Sequence, residues 1–179
     1  MQPIPVLVSA LFADRLKPDV LRFRPTHTVS LVEDSFIVPE DVVRLAGRHL
    51  RLSFADSEAR GTRPPSVSQI DSLVAFLQGW LAEARQKEGR LLVHCHLGVS
   101  RSPAAAYAAL ALLGGDGLEF EAFQILLRIT NKPWPNRDVV AMVDDALQKE
   151  GRLLAPLDAY REQHSRRLDA YRRLNRLRL

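Results

Sequence analysis

The segment that most restricts this chain is His94-Cys95-His96-Leu97-Gly98-Val99-Ser100-Arg101-Ser102. It follows an unbroken apolar triplet, Leu91-Leu92-Val93, and precedes an alanine-rich stretch from Ala104 to Leu113. A short apolar run behind Gly89 reads as a buried strand, and the alanine-rich stretch reads as a helix whose small side chains allow close packing on a sheet. Pro103 falls in the first turn of that helix, where its missing N–H costs nothing. The local order is therefore strand, tight glycine-containing loop, helix, with the chain's only cysteine at the junction of strand and loop.

The rest of the chain repeats that alternation. Ile4–Phe12, Thr26–Val32 and His49–Ala55 read as further strands, the last from the alternation of Leu50, Leu52 and Phe54. Pro39–Ala46 reads as a short helix, and Asp56–Pro65, with Gly61, Pro64 and Pro65, reads as a loop. Val67, Ile70, Leu73, Val74, Leu77, Trp80, Leu81 and Ala84 recur at helical spacing behind a capping box formed by Ser66 and Gln69, which makes Trp80 a core residue. Helical patterns follow at Glu119–Thr130 and at Asp138–Lys149, the second with Asn136 as its cap. Strands alternating with helices point to an α/β domain with a central, largely parallel sheet flanked by helices. Ligands of such sheets bind at the carboxyl ends of the strands, where the Cys95 loop would lie.

Charge divides the chain in two. Residues 151–179 hold eight arginines against Asp158, Glu162 and Asp169, whereas residues 1–150 hold 17 basic and 18 acidic side chains. The basic character therefore belongs to a tail with an apolar stripe at helical spacing through Leu157, Tyr160, His164, Leu168, Tyr171, Leu174 and Leu177. We expect residues 1–150 to be the functional domain and 151–179 a basic amphipathic helix packed on it or extending from it. A membrane surface or self-association could engage that tail, and no nucleic-acid partner is expected. No apolar run approaches the ~20 residues needed to span a bilayer. The N-terminus lacks a basic leader, and a lone cysteine forms no internal disulfide, so a reducing cytoplasm is the expected location.

A free thiol has a pKa near 8.5, so only about 3% is nucleophilic at neutral pH. Lowering such a pKa to about 5.5 requires roughly 4 kcal/mol of differential stabilisation. The loop has the means: backbone N–H groups from His96 to Arg101 can converge on one point, beside the positive end of the following helix. The same nest suits a phosphate dianion, with His96, Leu97, Gly98, Val99 and Ser100 forming its wall. Gly98 permits the tight turn. Arg101 can grip two phosphoryl oxygens, Ser102 can hydrogen-bond the Cys95 sulfur, and His94 is expected to orient the loop through backbone carbonyls.

Phosphoryl transfer also needs an acid for the leaving group. Asp56, just past the third strand on what reads as a mobile loop, is the first choice and Glu58 the second. Arg60 and Arg63 in the same loop could attract an anion or simply be solvated. His96 reads as a pocket wall, and His27, His49 and His164 as structural or exposed. Trp134 either lines the rim or packs in its turn.

These residues resemble the cysteine-dependent protein tyrosine phosphatases, whose signature is His-Cys-x5-Arg-Ser/Thr, and Cys-x-x-Gly-x-Ser-Arg-Ser is similar to the dual-specificity branch. Given a cysteine, chance placement of these neighbours is on the order of 10⁻⁵. Tyr107 within the alanine-rich stretch adds to the likeness. The resemblance implies that family's fold in a compact bacterial form, a phosphocysteine intermediate, no metal or other cofactor, and an upstream aspartate acid. The implied substrate is a phosphorylated protein or other phosphomonoester, with phosphotyrosine first and phosphoserine or phosphothreonine second. Two other readings stay open: a phosphoryl-binding or scaffolding protein of weak turnover, or the same chemistry on phosphoinositides or RNA 5′-phosphates.

Overall fold

The apolar runs form β1 (Val6–Ala10), β2 (His27–Val32), β3 (Arg48–Ser53) and β4 (Leu91–Cys95), joined as one parallel sheet in the order β1-β4-β2-β3. The computed structural model describes residues 4–60, 63–86 and 88–176. Its helices are α1 (Leu16–Phe23), α2 (Glu40–Leu45), α3 (Ser57–Arg60), α4 (Val67–Arg85), α5 (Arg101–Gly114), α6 (Glu119–Ile129), α7 (Arg137–Ala146), α8 (Leu154–Gln163) and α9 (Arg167–Arg176). Among the described residues, no helix is long and apolar enough to cross a membrane.

β4 runs between β1 and β2, and its side chains alternate between two cores as the pleat requires. Leu91, Val93 and Cys95 face the larger core, shared with α4 to α8, while Leu92 faces a smaller one with Leu16, Val20 and Val42 of α1 and α2. α5 is buried at every residue from Arg101 to Ala111, and its run of alanines permits that close approach to the strands. The capping box of α4 forms as expected, and Gln69 also donates to the Ser53 carbonyl at 2.7 Å. That bond ties the start of α4 to the end of β3, which fixes both flanks of residues 54–66.

On the α1/α2 side of the sheet, a hydroxyl joins two imidazoles. Ser30 Oγ lies 2.5 Å from His94 Nε2 and 2.7 Å from His49 Nε2. Burial, with a smaller contribution from His49, lowers the His94 pKa to about 3, so its ring is neutral.

Besides α1, which the sequence reading does not include, two elements differ from expectation. Asp56–Pro65 is not all loop, because Ser57–Arg60 winds into one helical turn. The single amphipathic helix expected in the tail is two, α8 and α9, interrupted at His164–Arg166. α8 is seated by Asp144, whose carboxylate accepts from Gly151 and Leu153 N–H at 2.6 and 2.8 Å. Tyr160 follows, donating to the Pro133 carbonyl at 2.7 Å.

Candidate active site

Parallel register brings the chain's polar residues to one edge. Cys95 ends β4 opposite Ala10 of β1 and Leu31 of β2. Glu33 lies just beyond β2 and Asp56 just beyond β3, so both converge on the carboxyl edge where α5 begins. The loop between β4 and α5 is held from outside by its carbonyls. Those of Cys95 and His96 accept from Leu11 and Phe12 N–H, each at 2.9 Å, and those of Val99 and Ser100 accept from Trp134 and Asn136 N–H at 2.8 and 3.1 Å. In a planar trans peptide the next N–H points opposite to the carbonyl. The amides of His96, Leu97, Ser100 and Arg101 are thereby turned away from these neighbours and towards the inside of the loop.

The sulfur sits within this cradle. Cys95 Sγ accepts from the Gly98 N–H at 3.2 Å and from Ser102 Oγ at 3.1 Å. Gly98 has a φ of +69°, and a Cβ there would lie 3.0 Å from the Ser9 carbonyl oxygen, so both conformation and space demand glycine. His96 lies against the rings of Phe36 and Phe12, at centroid distances of 4.3 and 6.1 Å, and forms part of the wall. His94 lies beneath the cradle. The hydrogen bond of its Nε2 is with the Ser30 hydroxyl.

Arg101 opens α5 and is buried. One terminal nitrogen donates to the Phe54 carbonyl at 2.6 Å, Nε lies 3.7 Å from Asp56 Oδ2, and the other terminal nitrogen lies 4.0 Å from Glu33 Oε1. Among the described residues its buried Nε meets no hydrogen-bond acceptor within range. A guanidinium with a buried, unspent donor beside inward-turned amides is suited to a tetrahedral oxyanion.

Asp56 is only 2% exposed and is held by several donors. Its Oδ1 accepts from Ser100 Oγ at 3.0 Å, Asn136 Nδ2 at 3.1 Å and Glu58 N–H at 3.2 Å. Its Oδ2 accepts from the Tyr171 hydroxyl at 2.8 Å. Asp56 and the cradle are thus one connected network, since Ser100 belongs to the loop. Glu58 is engaged elsewhere: Oε1 accepts from the Arg137 N–H at 3.1 Å and forms an ion pair with Arg161. Arg63 is exposed, whereas the Arg60 side chain and Gly61 lie outside the described residues.

Sequence reasoning missed several members of this network. Asn136 was read only as a helix cap. It does cap α7, accepting from the Val139 N–H at 3.1 Å, but its amide also holds Asp56. Glu33 carried no pattern of its own. Tyr171 showed only as one member of the tail's apolar stripe, and nothing in that stripe named its partner. Trp134 is buried, and the Arg161 guanidinium lies 4.6 Å over its ring. It also lines a cavity of about 660 Å³ shared by Leu97, Gly98 and Val99 of the loop and by Ala170, Tyr171 and Leu174 of α9.

This architecture is the fold of protein tyrosine and dual-specificity phosphatases, as the Cys-x5-Arg resemblance implied. PTPMT1, solved in complex with PI(5)P, aligns with a TM-score of 0.58 at 18% identity over 80% of this chain and 90% of its own. The Yvh1 phosphatase domain from Chaetomium thermophilum aligns at 0.57 and 20% identity over 85% and 95%. Human DUSP28 aligns at 0.57 and 21% identity over 82% and 95%. No protein-family model and no curated protein matches the sequence.

Proposed function

We propose that this protein hydrolyses phosphomonoesters through a phosphocysteine intermediate. The observation that carries the reading is the pair of hydrogen bonds from Gly98 N–H and Ser102 Oγ to Cys95 Sγ, inside a loop that Arg101 closes. Cys95 attacks phosphorus from the side opposite the ester oxygen, forming the S–P bond as the P–O bond breaks. Asp56 gives its proton to the departing alkoxide or phenolate. Loop amides and Arg101 hold the three equatorial oxygens throughout. Water then attacks the phosphocysteine, Asp56 takes up its proton, and inorganic phosphate leaves. Ser102, already donating to the sulfur, stabilises the thiolate released in that second step.

Phosphotyrosine is the substrate class we favour within this reading. A second class, phosphate on a lipid headgroup, is favoured by one observation. Arg15, Arg128, Lys132 and Arg167 line the 660 Å³ cavity beside the loop, and among the described residues no carboxylate does. PTPMT1, of the same fold, was solved with PI(5)P.

Hydrolysis of para-nitrophenyl phosphate in the presence of a chelator tests the chemistry. The wild type should turn over, and Cys95→Ser should lose on the order of 10³-fold or more in rate while still binding phosphate. Near-normal turnover by the serine variant would overturn the mechanism. Comparing kcat/KM for a phosphotyrosine peptide with that for a phosphoinositide ranks the two substrate classes.

A further inference from the structure

The mechanism leaves one buried contact unused. Tyr171, on α9, is 6% exposed, and its hydroxyl donates to Asp56 Oδ2 at 2.8 Å. The other carboxylate oxygen already accepts from Ser100, Asn136 and the Glu58 N–H. Oδ2 lies 3.7 Å from Arg101 Nε, beside the guanidinium that would hold the phosphoryl group, and a phenol occupies it.

That arrangement has a chemical counterpart. Once a phosphotyrosine has transferred its phosphoryl group, its phenolic oxygen has just received the acid's proton and donates it back as a hydrogen bond to the carboxylate. Tyr171 makes the same contact from within the chain. Its phenol is close enough to the reacting groups that, after burial, the charges of Asp56 and Cys95 raise its pKa. It is held in the neutral form that a product tyrosine would have.

α9 is positioned to hold the phenol there. Arg172 Nε donates to the Glu58 carbonyl at 3.0 Å, and Arg167 reaches the Tyr160 hydroxyl on α8. Arg167, Ala170, Tyr171 and Leu174 line the same cavity as Leu97, Gly98 and Val99 of the cysteine loop. The contacts join side-chain tips across a break in the tail at His164–Arg166, rather than a continuous helix.

We propose that α9 is an autoinhibitory helix and Tyr171 a tethered product mimic, which occupies the leaving-group place on Asp56 and closes the site until α9 lifts. This rests on the phosphatase reading and deepens it, because the tethered group is a phenol and the site that accepts it is a tyrosine site. The helix then acts as an intramolecular competitor. Substrate sees only the fraction of molecules with α9 raised, so the apparent KM is raised by the inverse of that fraction while kcat at saturation is untouched.

Steady-state kinetics on the full-length chain test this with Tyr171→Ala, Tyr171→Phe and Arg172→Ala, using para-nitrophenyl phosphate and a phosphotyrosine peptide. A hydrogen bond to a charged acceptor is strong enough that Tyr171→Ala should lower KM about tenfold at unchanged kcat, and Tyr171→Phe should shift it the same way. Arg172→Ala keeps the phenol and loosens the helix, so it should lower KM about threefold. A fall in kcat at constant KM in Tyr171→Phe would make Tyr171 a positioning residue for Asp56 and overturn the proposal. Unchanged KM in both Tyr171→Ala and Arg172→Ala would also overturn it, and Arg172→Ala alone decides if Tyr171→Ala does not fold. Alkylation of Cys95 by iodoacetamide, followed by intact mass, reads the cover without turnover and should accelerate in Tyr171→Ala and Arg172→Ala. If no form hydrolyses phosphate esters but alkylation accelerates, the phosphatase reading fails and the cover stands. If the wild type hydrolyses them but neither KM nor alkylation moves, the cover fails and the phosphatase reading stands.

Discussion

From Leu91 to Leu113 the side chains are buried or half-buried, and the Cys95 sulfur is bonded by groups three and seven residues away. From Leu154 to Arg176 buried side chains such as Leu157, Tyr160 and Tyr171 alternate with exposed ones. Contacts with the site span 103 to 115 residues and are made by the tips of Arg161, Arg172 and Tyr171. The first region sets chemistry through peptide geometry that its own sequence dictates. In the proposed inhibition, the second sets access through the polar bonds of α9 to Asp56 and Glu58. A local device is hard to switch because the whole segment is part of the core, whereas a long-range one can open at the cost of a few hydrogen bonds and the burial of Tyr171.

Substitutions can break or sharpen this contrast. The largest effect after loss of the thiol should come from Asp56, whose carboxylate is held by both regions. Asp56→Asn should lower kcat about 10²-fold, the low end for loss of a general acid. The loss should be greater on phenyl phosphate than on para-nitrophenyl phosphate, whose leaving group needs a proton less. Equal losses on both esters would remove Asp56 as the acid. A smaller effect should follow Gly98→Ala. A left-handed φ with a Cβ pressed on the Ser9 carbonyl should cost about 2 kcal/mol of stability, read as a lower midpoint in urea. If Gly98→Ala lost no stability and kept full turnover, the cradle would be less rigid than its hydrogen bonds imply.

The mildest perturbation is acid. His94 has its folded pKa depressed to about 3 against 6.5 in the unfolded chain. Below pH 6.5 the unfolded chain binds a proton that the folded one refuses. Stability present above pH 6.5 is therefore lost as the pH falls towards 3. His49 and His27 are shifted down as well, chiefly by burial, and add in the same sense. Thermal unfolding between pH 7.5 and 4 should show a falling Tm, with a shallower fall in His94→Gln. A Tm independent of pH over that interval would contradict the buried neutral ring.

The legible parts of this molecule are those in which neighbouring residues decide the outcome. The β4 triplet, the glycine turn, the capping box of α4 and the Asn136 cap are all local, and each formed where its pattern placed it. α1 was missed although Leu16 and Val20 stand four apart and face the core, because eight residues interrupted by Pro18 give little period to read. The sequence ranks Asp56 before Glu58 but places both beside one strand, with no local pattern that separates their surroundings. The two are set apart by long-range contacts: Ser100 of the loop holds Asp56, whereas Arg161, over a hundred residues on, pairs with Glu58. The tail's stripe announced a buried face but not what it would cover.

The Ser30 hydroxyl has a single hydrogen, yet it stands within 2.5 and 2.7 Å of two imidazole nitrogens. It donates to one ring and must accept from the other, so while both rings are neutral, His49 and His94 hold opposite tautomers. Neither can change tautomer alone. A proton on the half-buried His49 would leave the hydroxyl only one orientation, donating to His94 Nε2. The outer strand is thus coupled through one hydroxyl to the residue next to the sulfur.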